Sequence, residues 1–411
     1  MLKKSIAFLL IVLSLNFCVF ADENNAKYRD ENTKNVVTEF YSSDIYDDIV
    51  NTSAKIKDKI EIKAKSAVLM EKSTGRIIFK KDENKRVSPA SITKIMTMLL
   101  VIEAIESKKL SFYDKVTASE HASSMGGSQI WLKVGEQMSV HDLLKAVAVG
   151  SANDASVALA EKVAGSEEAF VAKMNQKAKE LGMKNTNFTN ACGLDDDNLY
   201  TTAKDVAIMS KALISHEIIK QYTKIWLDTV RNETVQLVNT NKLVRFYNGA
   251  TGLKTGTTNR AGCCLSATAK RNGMELIAVI MGAENSKERF AQAKKLLDYG
   301  FANLFIYEPS KFVKLKNSLN LLNGQQRTVR IKSDRIENEL LDLNRKDSIK
   351  VNVSYKENLQ APIIKGEVLG KILITDKENT IKSYSVYAGE TVQKVNFKYN
   401  LMRLLKGTTI L

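Results

Sequence analysis

Apolar residues are spaced differently in successive stretches of the chain, and the spacing divides it into five parts. Lys3 and Lys4 precede a mostly apolar run from Ile6 to Phe20, with Val19 and Ala21 ahead of a cleavage point. That is the pattern of an export signal ending at Ala21, and the run is short for a membrane span. Residues 22–62 are polar and charge-rich and read as a lead segment. "SAVLM" (66–70) and "RIIF" (76–79) flank the turn signal "EKSTG", which predicts a β-hairpin. In "VSPASITKIMTMLL" (87–100) Ile92, Ile95, Met96, Met98, Leu99 and Leu100 leave almost no polar face, so this helix is expected inside a large core. From about 140 to 215 the period is helical. Two strands then flank a turn at Arg271–Gly273, and "SKERFAQAKKLLDYGFANL" closes the region as a helix. Strands at both ends with helices between them predict an α/β domain over 63–306, its antiparallel sheet assembled from distant segments.

Residues 307–390 change character. Short alternating runs such as "RTVRIKS" and "SIKVNVSY", split by polar turns, predict a small all-β domain. The last part, 391–411, reads as an amphipathic helix. Val392, Val395, Tyr399 and Met402 recur at helical spacing, Leu401, Leu404 and Leu405 widen the stripe, and Lys394, Lys398, Arg403 and Lys406 add charge. Such a helix is expected to lie on an anionic membrane surface.

With 411 residues the chain is too long for one ordinary core. Its formal net charge is +15, and loss of the signal removes two of those charges. A basic exported chain suits wall polymers and membrane headgroups, and the absence of a recognition motif argues against nucleic acid. Removal of the signal leaves Cys192, Cys263 and Cys264, an odd number with two adjacent, so no disulfide framework follows. The three histidines, His121, His141 and His216, form no metal-ligand spacing, and no metal or cofactor is expected.

Three short motifs carry the chemistry. Ser91-Ile92-Thr93-Lys94 opens the apolar helix, Ser151-Ala152-Asn153 lies between helices, and Lys254-Thr255-Gly256, followed by Thr257, lies on a strand. Each alone has a plain explanation, a helix cap for the serines and a strand end for the third. In this order they form the set found in serine penicillin-recognising enzymes. Ser91 needs a base, and Lys94, one turn along on the same helix face, can serve if burial or a nearby cation such as Lys254 keeps it neutral. The Ser91 N–H, at a helix start, can face a developing oxyanion. Ser151 can relay a proton, and Asn153 can hold Lys94 and the substrate backbone. A lysine-threonine pair suits a free carboxylate.

"MGGSQIWLKVGEQMSVHDLLKAVAVGSANDASVALAE" and "GLKTGTTNRAGCCLSATA" resemble the low-molecular-mass penicillin-binding proteins, the serine-type D-alanyl-D-alanine carboxypeptidases. The resemblance covers about 63–300 and, more loosely, the β domain. It implies a β-lactamase/transpeptidase-like catalytic fold and removal of the terminal D-alanine from peptidoglycan stem pentapeptides. It further implies inhibition by β-lactam antibiotics and a place on the outer face of the cytoplasmic membrane or in the wall space. By the same resemblance Ser91, Lys94, Ser151 and Asn153 are catalytic, Lys254, Thr255, Gly256 and Thr257 bind substrate, and the Thr257 N–H is the second oxyanion donor. Relatives can carry an arginine inside an Asn-x-Asn stretch before the third motif, as part of the carboxylate anchor; here it reads Asn239-Thr240-Asn241, so either the anchor is lighter or Arg245 replaces the arginine. The alternatives are a β-lactamase, a β-lactam sensor that acylates and stops, and a D,D-endopeptidase on the same site. Between Asp154 and Lys254 no Glu-x-x-x-Asn occurs, the pattern of a class A deacylating glutamate, which argues against the first.

Overall fold

Alternation along two strands lets one sheet serve two cores. In the computed structural model, which describes residues 60–407, strands β1 (Ser66–Glu71), β2 (Ile77–Lys81), β5 (Ala250–Thr258), β6 (Gly262–Arg271) and β7 (Met274–Ala283) form an antiparallel sheet in the order β2-β1-β7-β6-β5. Val68 and Met70 of β1, with Ile277, Val279 and Met281 of β7, face one core; Ala67 and Leu69, with Leu276, Ala278 and Ile280, face the other. Successive strand residues point to opposite faces, so a strand covered on both sides must be apolar throughout. Every residue of β7 is buried.

The first face carries the helices α1 (Lys94–Glu106), α2 (Val140–Lys145), α3 (Asn153–Ala164), α4 (Glu167–Glu180) and α5 (Ala203–Ser215). α1 is buried from Lys94 to Ile102, as its unbroken apolar character requires. α4 and α5 start at Ser166 and Thr202, whose side chains accept from Ala169 N and Asp205 N. A short hairpin, β3 (Leu227–Val230) with β4 (Val235–Val238), borders this lobe. The second face is covered by α6 (Ser286–Asn303), capped by Asn285, which buries Phe290, Ala293, Leu296 and Leu297 against it.

The chain passes from α6 directly into β8 (Leu304–Tyr307), which crosses the boundary expected near 306. The all-β region follows: β9 (Ser318–Asn320), β10 (Thr328–Ser333), β11 (Glu339–Asp342), β12 (Ile349–Tyr355), β13 (Val368–Asp376) and β14 (Asn379–Ala388). β8 pairs with β11, and Arg76 from the β1–β2 hairpin donates to the Leu340 carbonyl at 2.8 Å. The other five strands form a sheet in the order β9-β10-β14-β13-β12.

The tail departs from the sequence reading. Its helix, α7, spans only Phe397–Gly407. Val392 is buried in the β-domain core and exchanges backbone hydrogen bonds with Ile363 at 2.9 and 3.0 Å. Residues 391–396 therefore complete the β domain, and the helical spacing of Val392 and Val395 is coincidence: both precede α7 and lie outside any helix. The expected export signal and nearly all of the lead segment lie outside the described residues.

Leu276 anchors the α6 side of the sheet and is fully buried. Leu276→Ala is expected to cost about 2–5 kcal/mol, by lost transfer energy plus the cavity left behind. Urea unfolding of the two forms checks it.

Candidate active site

The chain enters α1 through a strained turn. Val87 bridges to Thr201, and after Pro89 a 3-10 turn spans Ala90–Thr93. Ala90 has φ 48°, in the left-handed region that a Cβ disfavours. Ser91 lies in this turn and Lys94 is the first residue of α1, so the expected spacing puts them in contact: Lys94 Nζ donates to Ser91 Oγ at 2.9 Å.

Lys94 is wholly buried. Its Nζ also donates to Asn153 Oδ1 and to the Cys192 carbonyl, both at 2.6 Å. Three acceptors match the three hydrogens of an ammonium. Burial nevertheless pushes the Lys94 pKa down to about 8, against a smaller opposing pull from Cys192 and Asp154. An amine so placed exchanges its proton near neutral pH.

The second motif builds one wall. A π-helical turn, Ala146–Gly150, ends at Ser151, a buried residue with φ 63°. Asn153 then opens α3. Its Oδ1 faces Lys94, its Nδ2 donates one hydrogen to the Gly126 carbonyl at 2.6 Å, and its backbone N–H reaches Ser128 O at 2.7 Å. Asp154, fully buried, accepts from the N–H groups of Ile130 and Leu132 at 3.1 and 3.0 Å and fixes the loop that Asn153 touches.

The third motif builds the facing wall, β5. Gly256 is needed for close approach: a Cβ there would stand 3.0 Å from Ser91 N and 2.9 Å from the Pro89 carbonyl. Lys254 is buried, and its Nζ donates to Thr255 O at 3.1 Å. Burial, then the charges of Lys94 and Arg289, push its pKa well below the usual lysine range. Thr255 Oγ1 donates to Thr240 Oγ1 at 2.7 Å. Thr257 Oγ1 accepts from Arg289 Nη1 at 2.9 Å, and that guanidinium also reaches Gly256 O at 3.3 Å.

A loop closes the floor. Besides the Cys192 carbonyl, it supplies Asp195, which accepts from Ser88 Oγ at 3.1 Å and Thr258 Oγ1 at 2.9 Å, tying the turn before Ser91 to β5. Gly193, at φ 86°, passes so near that a Cβ would lie 1.9 Å from the Ala90 carbonyl.

Some of these groups were not legible in the sequence. The Cys192 contact is made by a backbone carbonyl, which any residue carries. Arg289 is an ordinary arginine on a helix far along the chain. Asp154 adjoins the second motif and was the one within reach. Arg245 is corrected: it is exposed, its guanidinium 5.5 Å from the rings of Trp226 and Phe246. Each histidine pairs elsewhere, His121 with Glu167, His141 with Tyr222 and His216 with Glu106, so none orients Ser91.

Comparison with known proteins decides the family. Residues 51–285 match the family model described as D-alanyl-D-alanine carboxypeptidase, more than half of the chain. The chain belongs to the D-alanyl-D-alanine carboxypeptidase family. Residues 307–394 of this carboxypeptidase match the penicillin-binding protein 5 C-terminal domain. It is 43% identical over 353 residues to the D-alanyl-D-alanine carboxypeptidase DacF of Bacillus subtilis, covering 84% of this chain and 90% of the relative. Its fold is similar to penicillin-binding protein 5 from Haemophilus influenzae, with a TM-score of 0.70 and 32% identity over 82% of this chain and 99% of the other. It is also similar to penicillin-binding protein D2 from Listeria monocytogenes in its ampicillin-bound form, with a TM-score of 0.55 and 32% identity over 59% of this chain and 100% of that one.

The Gly193 contact yields a test of the site. Gly193→Ala is expected to destabilise the carboxypeptidase by about 1–3 kcal/mol, because overpacking and an unfavourable φ act together. Thermal unfolding, followed by circular dichroism, measures it.

Proposed function

We propose that this D-alanyl-D-alanine carboxypeptidase works through an acyl ester on Ser91. Ser91 Oγ attacks the carbonyl between the two D-alanines of a stem pentapeptide, while neutral Lys94 takes the hydroxyl proton. The C–N bond breaks, the proton passes by way of Ser151 to the leaving amine, and D-alanine departs. Water then hydrolyses the ester and restores Ser91. The observation that carries this reading is the buried Lys94 amine in contact with Ser91 Oγ, its pKa lowered by burial. The N–H groups of Ser91 and Thr257 face the oxyanion across the close approach that Gly256 permits.

Lys254, Thr255 and Thr257 take the C-terminal carboxylate. The support is electrostatic: burial above all, then the neighbouring Lys94 and Arg289, disfavours the charged form of Lys254, and an arriving carboxylate favours that form. Asn153 has one amide hydrogen beyond the one given to Gly126, and it can hold the substrate backbone. A β-lactam enters the same site, a reading supported by the ampicillin-bound form of the Listeria relative, and leaves a slowly hydrolysed ester, since no Glu-x-x-x-Asn lies between Asp154 and Lys254.

The proposed setting is the outer face of the cytoplasmic membrane, after export. No helix among the described residues is long and apolar enough to cross a membrane. α7 instead exposes Phe397, Leu401, Met402, Leu404 and Leu405 beside Lys398 and Arg403. At about 1 kcal/mol per basic residue near an anionic surface, the helix charges alone give binding weaker than millimolar, so the apolar side chains must add the rest.

Penicillin acylation of wild type is expected to rise about tenfold per pH unit below 8 and level off above it, because only neutral Lys94 accepts the proton. Lys94→Arg should suppress it at every pH, and Ser91→Ala should abolish both labelling and D-alanine release. Rate measurements with labelled penicillin, read by intact-mass spectrometry, decide this; persistent labelling of Ser91→Ala would place the nucleophile elsewhere. Many penicillin turnovers per minute would instead make the enzyme a β-lactamase.

For the tail, a chain ending at Asn396 keeps the β domain whole. Sedimentation with anionic vesicles at low salt should pull down the full chain and leave the shortened one in solution. Equal sedimentation would mean that α7 does not bind the membrane.

A further inference from the structure

The Cys192 carbonyl that meets Lys94 lies on a loop that is neither helix nor strand, so its position depends on side chains. The peptide group just before it is fastened at both ends. Thr97, one turn along α1 from Lys94 and fully buried, donates its hydroxyl to the Ala191 carbonyl at 2.6 Å. The Ala191 N–H donates to Glu167 Oε1 at 2.8 Å. Asn190 Oδ1 accepts from the Gly193 N–H at 2.6 Å and closes the turn beyond Cys192. Thr97 belongs to the helix of Lys94 and Asn190 to the loop itself. Glu167 reaches in from the first turn of α4.

Glu167 is held in turn. Its other oxygen, Oε2, meets His121 Nε2 at 2.6 Å; the glutamate side chain is mostly buried and the histidine half exposed. His121 stands on a one-turn helix, Glu120–Ser123, whose cap Ser119 donates to Glu161 of α3 at 2.8 Å. That turn leads into the stretch whose Gly126 and Ser128 carbonyls accept from the Asn153 side chain and backbone. The His121–Glu167 pair therefore joins the two segments that present Asn153 and Cys192 to one amine. The charges on each side are distinct. Asp154 and the Cys192 thiol favour the Lys94 ammonium, and Lys254 stands against it from β5. Around His121 the carboxylates are Glu167, Glu161 and Glu168, and the hydrogen bond to Glu167 does most to raise its pKa, with burial opposing.

We propose that Glu167 is a positioning residue for the reaction: by holding the Ala191 peptide it keeps the Cys192 carbonyl on the Lys94 amine and keeps water from that amine, and His121 holds Glu167 in place. This rests on the reading of Lys94 as the base for acylation. Glu167 acts through its reach, as an acceptor for one backbone N–H, and not through its charge. Once it lets go, the loop relaxes, water reaches Lys94, and the amine returns toward an ordinary lysine that stays protonated at neutral pH.

The test is the pH profile of penicillin acylation, read by intact-mass spectrometry, for wild type, Glu167→Asp and Glu167→Gln. Glu167→Asp keeps the negative charge at the start of α4 and withdraws the carboxylate by a carbon–carbon bond length. Its inflection should move toward alkaline pH by about half a unit or more. Glu167→Gln loses the charge and keeps both the length and an acceptor oxygen, so its inflection should stay within about 0.2 units of wild type. A shift in Glu167→Gln as large as that in Glu167→Asp would assign the effect to charge and overturn the proposal. So would a Glu167→Asp inflection that stays put or moves toward acid, even with a lower plateau, because a merely structural role slows the enzyme without moving its titration. A wild-type profile with no inflection overturns the Lys94 reading and this proposal with it, whereas a wild-type inflection that neither variant moves overturns this proposal alone.

Discussion

The structure depends on a lysine amine kept from water. Lys94 lies at the start of a helix buried on all sides, and its three acceptors come from three separate parts of the chain: the preceding turn, α3 and the loop around Cys192. Desolvation penalises the charged form, and the acceptors keep a charged form tolerable. The balance between them brings the amine's pKa down to about 8, within reach of physiological pH. Water admitted at Cys192 or Asn153 would return it toward an ordinary, permanently charged lysine. The packing of the helical lobe therefore governs the proton chemistry, although most of its residues never approach a substrate.

The facing wall obeys a related constraint. β5 runs close beside Ser91, and the missing side chain at Gly256 permits that approach. It must also carry buried positive charge. Arg289 provides some of that field from α6 and hydrogen-bonds Thr257 and Gly256 directly. That helix lies on the far face of the sheet from α1, so both layers contribute to one site. The apolar β7 strand, buried on both faces, is the structural consequence of packing helices on the two sides.

Several parts of this arrangement follow from local rules and were legible. The β1–β2 hairpin, the turn at Arg271–Gly273 and α6 all come from turn residues and hydrophobic period. The contact of Ser91 with Lys94 follows from their spacing at a helix start. The tail was misread in part because Val392 and Val395 fit a helical period by coincidence, while Val392 serves the β-domain core through a bridge to Ile363. Arg245, offered in place of the arginine that relatives carry in the Asn-x-Asn stretch, lies instead over aromatic rings.

The sequence by itself determined which residue types were available for the chemistry, in what order, and on which kind of element each would stand. It did so because helix and strand periods, turns and short motifs are properties of neighbouring residues. The tertiary structure alone decided that the Cys192 carbonyl completes the Lys94 shell, that Asp154 fixes the loop under Asn153, and that Arg289 reaches Thr257 from another layer. Those contacts join residues far apart in the chain, two of them through backbone groups that every residue shares. Burial, and with it the charge state of both lysines, exists only once those distant segments have packed together.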